Sequence, residues 1–260
     1  MIRKIFFHGF LLIGMSISLF SQDTLKVPGL ATDRPGQSES AIILPAGFFQ
    51  IETGYVHEFV TSDISNIYYN TTVLKYGLAE SVEIRLGMNY LKNIERWNGG
   101  DTKFITRGFT PVVISSKVHI VREKGICPEV AFYAGIGLPG TGKSQFMTSY
   151  LAPSLKVAAM HTIGSNFSLV YNIGTLWDGE TAQSTGIYTV SLGMSVSEGI
   201  GVFIENYAYF RKGFFDIRSD TGITWLLKKN LQVDLSGGLG LNSKAPNGFI
   251  SCGISWRVPQ

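Results

Sequence analysis

Apolar and polar side chains alternate with a period of two residues along most of the chain after residue 46. Every second residue from Val82 to Tyr90 is apolar, with Glu83 and Arg85 in between, and Ile250–Val258 repeats the pattern. A period of two is that of a β-strand with one apolar and one polar face, so the chain is predicted to be all-β. The predicted strands are 47–60, 66–77, 81–92, 108–121, 127–138, 150–163, 166–177, 185–196, 200–211, 214–227, 230–241 and 248–258.

Tight connections alternate with longer ones between these twelve predicted strands. The tight connections are 77–81, 122–126, 164–165, 197–199 and 228–229. The longer connections are 61–65, 93–107, 139–149, 178–184 and 242–247, and the short link at 212–213 is the exception. Outer-membrane barrels have short periplasmic turns, long external loops and an even number of strands. The sequence therefore predicts a transmembrane antiparallel up-and-down β-barrel of about 12 strands.

Composition agrees with a membrane barrel. Charged residues make up 16% of the chain, whereas soluble domains have about a quarter. No run of 18 apolar residues follows residue 22, which argues against membrane-spanning helices. Aromatic residues are expected near the outer strand ends as an interfacial girdle; they are Tyr55, Phe59, Tyr68, Tyr69, Tyr90, Trp97 and Trp177. The alternative is a soluble β-sandwich, which would need two buried sheet faces and a more charged exterior.

The first 22 residues predict export. Arg3 and Lys4 precede an apolar run from Ile5 to Phe20, the pattern of a signal peptide, and an uncleaved anchor is the alternative. We predict three parts: 1–22 signal peptide, 23–45 periplasmic N-terminal segment and 46–260 barrel. The predicted location is the outer membrane of a Gram-negative bacterium. Predicted partners are outer-membrane lipid, the barrel-assembly machinery and periplasmic chaperones.

Residues 137–144, GLPGTGKS, fit the phosphate-binding motif G-x-x-x-x-G-K-[ST]. That motif needs a strand before the loop and a helix starting at Lys143–Ser144. The strand is present at 129–138, but Pro153 and the alternation from Leu151 predict another strand instead of a helix. We therefore predict no nucleotide and no cofactor. The mature chain would carry 20 basic and 19 acidic residues, which gives no reason to expect nucleic acid.

Charged residues on the polar side of the predicted strands are expected to line the lumen. In a narrow barrel they cross-link the interior, the role we favour, and they also set selectivity. A second group, before the first strand, is expected to fold into the periplasmic mouth and pair with lumen charges, with a flexible lead-in as the alternative. The lumen residues are Glu52, Glu83, Arg85, Lys117, Glu129, Lys156, Asp234 and Arg257, and the mouth residues are Asp33, Arg34, Gln37 and Glu39.

Catalytic and metal-binding residues are not predicted. The histidines of the mature chain are scattered, which argues against a zinc site. A barrel hydrolase needs a Ser–His–acid set at one rim, and His57 with Ser62 and Asp63 is the only local candidate. We predict that the protein is not an enzyme.

Several stretches resemble a family of outer-membrane transporters named after the meta-pathway of phenol degradation. They are ATDRPGQSES (31–40), LPAGFFQIETGY (44–55), LKYGLAESVEIRLGMNY (74–90), AGIGLP (134–139) and SGGLGLN…FISCGISWRV (236–258). The resemblance implies a porin-like barrel that passes small, often hydrophobic or aromatic molecules. It supplies no established substrate. The alternatives are a structural or surface-exposed barrel without transport and, less favoured, a barrel enzyme.

Overall fold

A computed structural model describes residues 29–97 and 102–259, and its regular structure is β. In this part of the chain no helix is long and apolar enough to cross a membrane. The strands are β1 (Phe49–Phe59), β2 (Ile64–Ala79), β3 (Val82–Trp97), β4 (Thr102–Phe109), β5 (Val113–Val121), β6 (Glu129–Gly137), β7 (Ala152–Ile163), β8 (Phe167–Leu176), β9 (Thr185–Ser197), β10 (Ile200–Arg211), β11 (Phe214–Lys228), β12 (Leu231–Gly240) and β13 (Gly248–Arg257).

Antiparallel pairing closes these segments into a barrel. The closing pair is β1 with β13, from Gln50 opposite Arg257 to Phe59 opposite Gly248. Both β4 and β5 pair with β3, so they are two parts of one wall strand. That strand is interrupted around Pro111, which has no N–H to donate to a ladder. The wall therefore has twelve strands, and the predicted barrel is confirmed.

The hairpin of β3 and β4 is longer than predicted. Residues 93–107 were expected to form a loop, but β3 continues to Trp97 and β4 begins at Thr102. Residues 98–101 lie outside the described part. Charged residues occur on both faces here, among them Lys92, Glu95 and Lys103. The apolar–polar alternation that identifies a half-buried strand is therefore absent.

The outer face of the barrel is apolar. Ile84, Leu235 and Ile250 are 41%, 58% and 52% exposed, which suits a surface covered by lipid. An aromatic ladder crosses four strands near the extracellular ends, with ring centroids 5.2 to 6.3 Å apart. It consists of Tyr55, Tyr69, Tyr90 and Phe109. The neighbouring Tyr68, which was expected in this girdle, instead points inward because successive side chains of a strand face opposite sides.

Residues 29–45, which we call the plug, lie inside the barrel. The plug enters near Arg257 at the periplasmic end, turns at Arg34–Gln37 halfway along the wall, and returns beside Gly77. This is the described portion of the segment 23–45 expected in the periplasm. The expected signal peptide, 1–22, lies outside the described residues.

The fold predicts which connections reach the cell exterior. Ser144 is exposed in the 138–151 connection on the extracellular side, and Lys229 is exposed in a periplasmic turn. A membrane-impermeant maleimide should label Ser144→Cys on intact cells, but Lys229→Cys only after the outer membrane is permeabilised. Both variants are made in a Cys127→Ser/Cys252→Ser background, which is also the control, because Cys127 lies in a periplasmic turn and would itself be labelled after permeabilisation. Reversed labelling would contradict this orientation.

Candidate functional site

Four basic side chains project into the barrel from one side of its wall, and we call them the basic cluster. They are Lys75 on β2, Arg85 on β3, Lys117 on β5 and Lys156 on β7. Strand β6, which lies between β5 and β7, contributes Tyr133. Its ring centroid is 5.7 Å from Arg85 Cζ and 5.2 Å from Lys156 Nζ. Alternation brings these groups to one face, because each occupies an inward position of its strand.

The plug residue Asp33 binds three members of the basic cluster. Its carboxylate lies 2.7 Å from Arg85 Nη2 and 3.0 Å from Lys117 Nζ, and it also accepts a hydrogen bond from Lys75. Burial raises the pKa of the Asp33 carboxyl. Arg85, Lys117 and Lys75 outweigh burial and hold its pKa well below its usual range. Asp33 is therefore a carboxylate at neutral pH.

Glu39, on the returning arm of the plug, binds the same cluster. Its Oε2 lies 2.7 Å from Arg85 Nη1, and its Oε1 lies 3.4 Å from Lys156 Nζ. Burial raises the pKa of Glu39, but Arg85 is the strongest of the basic groups that lower it to about 2. Arg85 thus binds Asp33 with one terminal nitrogen and Glu39 with the other, so the two plug carboxylates lie side by side.

The wall itself supplies two carboxylates to this side of the lumen. Glu52 binds Lys75 and accepts a hydrogen bond of 3.2 Å from the backbone N–H of Asp33. Glu83 binds Arg85 and accepts a 2.6 Å hydrogen bond from the N–H of Leu44. Four cationic groups therefore face two wall carboxylates, and Asp33 and Glu39 of the plug bring the charges into balance.

The guanidinium of Arg34 occupies a slot in the wall where β12, β13, β1 and β2 lie side by side. Its Nε and Nη2 donate to Asp234 over 3.2 and 3.0 Å, and its Nη1 donates to Thr71 over 2.9 Å. Gly54 and Gly253 face each other across β1 and β13 at this point. A Cβ would lie 2.4 Å from the guanidinium at Gly54 and 2.2 Å from it at Gly253. The slot therefore exists only because both positions are glycine.

The plug tip is held by backbone hydrogen bonds to side chains of the wall. Glu205 on β10 accepts from the N–H of Gln37 at 2.6 Å and from that of Ser38 at 2.9 Å. Asn172 on β8 accepts from the N–H of Glu39 at 2.7 Å and donates to its carbonyl oxygen at 2.9 Å. Wall side chains thus satisfy the backbone of a segment that has no regular structure of its own.

Two of the charged residues expected in the lumen lie near the periplasmic rim, away from the basic cluster. Arg257 donates to Gln50 at 3.3 Å and to the carbonyl oxygen of Gly29 at 3.4 Å. Glu129 lies 2.6 Å from His119 Nε2. The other expected residues that contact the plug or the basic cluster are Glu52, Glu83, Arg85, Lys117, Lys156 and Asp234.

Two further charged residues, Lys75 and Glu205, bind the plug and were not among those expected in the lumen. Lys75 stands between Leu74 and Tyr76, so its inward position follows from the alternation and could have been found. Glu205 lies on β10, where Tyr207 and the adjacent Ala208 are both buried. Because both faces of β10 carry apolar residues, the sequence does not indicate which face points into the lumen.

A cavity of about 460 Å³ lies on the extracellular side of the plug tip. Its aromatic lining consists of Tyr68, Tyr207, Tyr209 and Phe249. Arg218 also lines it, with its Cζ 5.5 Å from the Tyr209 ring centroid, and binds the carboxylates of Asp216 and Glu58 at 2.6 and 3.0 Å. The volume falls in the range of small-molecule sites, about 300–1,000 Å³.

The loop GLPGTGKS lies between two strands. β6 ends at Gly137, the residues after Lys143 form a turn, and β7 begins at Ala152. Gly140 has a φ of 71°, and Thr141 Oγ1 accepts a 2.9 Å hydrogen bond from the N–H of Val112. Strand–loop–strand is the arrangement predicted from the sequence. The loop packs against residues 109–112 of the wall.

Lys143→Ala is expected to leave the protein unchanged in folding and conductance. The Lys143 side chain is exposed and packs only its methylene groups over Gly108, and surface changes of this kind cost within about 0.5 kcal/mol. Heat-induced mobility shift and bilayer conductance would check this. Magnesium-dependent ATP binding that disappears in the variant would contradict it.

The candidate catalytic set of His57, Ser62 and Asp63 is not assembled as a triad in the described structure. His57 faces outward, with its ring centroid 4.3 Å from that of Phe59. Ser62 donates to Asp63 at 3.1 Å, and no hydrogen bond joins either residue to His57. Among residues 29–97 and 102–259 no three histidine, cysteine, aspartate or glutamate side chains are arranged to hold a metal ion.

A closed twelve-stranded wall with an apolar outer face and a polar interior defines an outer-membrane β-barrel of a Gram-negative bacterium. The family described as "Putative MetA-pathway of phenol degradation" matches residues 32–258, and the chain belongs to it. No curated protein matches the chain.

Solved structures of similar fold include a porin, a channel and a transporter. The KdgM porin, solved with disordered oligogalacturonate, has a TM-score of 0.51 and 9% identity, over 79% of this chain and 98% of that chain. The CymD monoaromatic hydrocarbon channel has a TM-score of 0.45 and 7% identity, over 84% and 89%. The toluene transporter TbuX of Ralstonia pickettii has a TM-score of 0.43 and 6% identity, over 84% and 90%. At these identities the likeness to KdgM shows the fold.

Proposed function

We propose that the protein is a channel or transporter that passes small molecules across the outer membrane when its plug moves. The observation that carries this proposal is the independence of wall and plug. Wall strands pair with one another all the way round, and the closing pair is β1 with β13. Wall side chains hold plug residues 29–45, and none of these residues is part of a wall strand. Displacing the plug would therefore open the lumen without breaking the wall.

The cavity on the extracellular side of the plug favours small solutes with apolar surface as the molecules that pass. Four aromatic rings give it a hydrophobic lining, and Arg218 with its two carboxylates gives it a polar corner. Such a combination binds molecules with both a ring and polar substituents. Family membership favours the same kind of solute. We propose no catalytic role, and we propose that the barrel-assembly machinery and periplasmic chaperones act in biogenesis.

Single-channel recording in planar bilayers tests the proposal. Wild type should conduct weakly or in brief openings, because the plug fills the lumen. Arg34→Ala removes the hydrogen bonds to Asp234 and Thr71 and should raise the open probability. Both proteins must show the heat-induced shift in electrophoretic mobility that marks a folded barrel. Folded barrels that never conduct, with or without Arg34, would overturn the proposal.

A structural barrel without transport is the second candidate. Buried ion pairs between plug and wall favour it, because they fill the periplasmic half of the lumen and cross-link the strands. Under this alternative Arg34→Ala would lower the unfolding temperature and leave the membrane sealed. The recordings above therefore separate the two candidates.

A further inference from the structure

We propose that the basic cluster is a binding site for the carboxylate groups of a permeating solute, occupied in this structure by the plug's own Asp33 and Glu39. The inference rests on the proposed channel function and specifies the polar substituents of its solute as two carboxylates, so the solute is a small dicarboxylate, with or without a ring. The plug would then be a tethered competitor that the solute displaces.

The plug's carboxylates balance the charge of the basic cluster. Without the plug, the four cations of the basic cluster face only Glu52 and Glu83, an excess of two positive charges. Lys75, Arg85 and Lys117 are at most 6% exposed. Burying several cations together without counter-ions is unfavourable, so the basic cluster would bind anions strongly once the plug's carboxylates have left.

The donors of Arg85 are placed to bind two neighbouring carboxylates. Arg85 binds Asp33 with Nη2 and Glu39 with Nη1, both at 2.7 Å, so one guanidinium bridges two carboxylates through charge-assisted hydrogen bonds. Lys117 adds contacts of 3.0 and 3.6 Å to the same two residues. Two carboxylates held side by side by one guanidinium match a compact dicarboxylate. The wall thus already has the donors that such a solute needs.

The side of the lumen opposite the basic cluster carries carboxylates. Glu205, Asp220 and Asp234 are buried there on β10, β11 and β12, so that side is acidic. Plug residue Arg34 pairs with Asp234, while Asp33 and Glu39 pair with the basic cluster. The plug therefore matches the polarity of the lumen. A dianion entering the open lumen is attracted to the basic side and repelled from the acidic side.

Isothermal titration of the refolded full chain with succinate tests the site without requiring transport. Asp33→Asn/Glu39→Gln removes both competing carboxylates and should bind succinate about tenfold more tightly than wild type, because the bound state no longer has to displace them. The matched control, Glu80→Gln/Glu198→Gln, removes two exposed carboxylates from the turns before β3 and before β10 and leaves the plug and its partners unchanged. Its affinity should stay within about threefold of wild type.

Three comparisons decide the outcome. The neutral analogue succinamide and the dication 1,4-diaminobutane should not show the gain, and Arg85→Gln added to the double variant should abolish it. Equal gains for succinate and succinamide, or no gain at all, would overturn the site. If the barrels conduct but show no such gain in affinity, the binding site is rejected and the proposed channel function is retained. If the barrels bind succinate but never conduct, only the proposed channel function is rejected.

Wild type provides a second measurement in case the double variant does not fold. Hydrogen–deuterium exchange of residues 33–40 should be at least about threefold faster in succinate than in succinamide at equal ionic strength, because displacing Asp33 and Glu39 frees the N–H groups bound by Glu205 and Asn172. Identical exchange in both solutions would overturn the proposal.

Discussion

Arg85→Glu is expected to expel the plug and to destabilise the protein more than any other single change in the lumen. Arg85 binds Asp33, Glu39 and Glu83 at once, and its side chain is buried. A glutamate there would place four carboxylates together in a confined space. Breaking a buried ion pair costs about 3–5 kcal/mol because it leaves an uncompensated charge, and reversing the charge adds repulsion.

Two measurements check this prediction. The temperature of the heat-induced mobility shift should fall, and the bilayer conductance should rise if the wall survives without its plug. Arg122→Glu is the matched control, because Arg122 is exposed in the periplasmic connection between β5 and β6 and lies outside the buried network. Equal behaviour of the two variants would mean that the ion pairs of Arg85 contribute little.

Gly253→Val is expected to displace Arg34 from its slot. A Cβ at this position would lie 2.2 Å from Arg34 Nε, well inside contact distance, and valine adds two further methyl groups. Moving the guanidinium leaves Asp234 buried without its cation, which costs about 3–5 kcal/mol. The plug tip should then be mobile and the lumen open.

The matched control for Gly253→Val is Gly87→Val. Gly87 also lies in a wall strand, but a Cβ there would meet only Val113 at an ordinary 3.5 Å. Hydrogen exchange of residues 33–40 should accelerate in the Gly253 variant and stay near wild type in the Gly87 variant. Protection of the plug in both variants would show that the slot tolerates a side chain.

Alternation alone was enough to predict the wall. Apolar outer positions such as Ile84 and Ile250 and polar inner positions such as Glu83 and Arg85 follow from a period of two, since lipid covers one face and the lumen the other. Alternation gives no signal where both faces of a strand meet water, as in 93–107. It also gives none where both faces are apolar, as around Tyr207 on β10.

The depth of the plug could not be predicted in the same way. Residues 31–40 have no periodicity, and their partners are distant in sequence: Arg34 contacts Asp234, 200 residues away, and Gln37 contacts Glu205, 168 residues away. The charges of Asp33 and Glu39 suggested pairing with lumen residues. Which residues they meet depends on closure of the whole wall, and local sequence does not carry that information.

Arg34 also lies across the seam where the first and last strands of the barrel meet. Its slot is made half by Gly54 of β1 and half by Gly253 of β13. A slip of one residue in that pairing would turn one strand's side chains to the other face and destroy the slot. Docking of the plug therefore requires a barrel closed in the correct register, because the hydrogen bonds of Arg34 can form only where the first and last strands have paired.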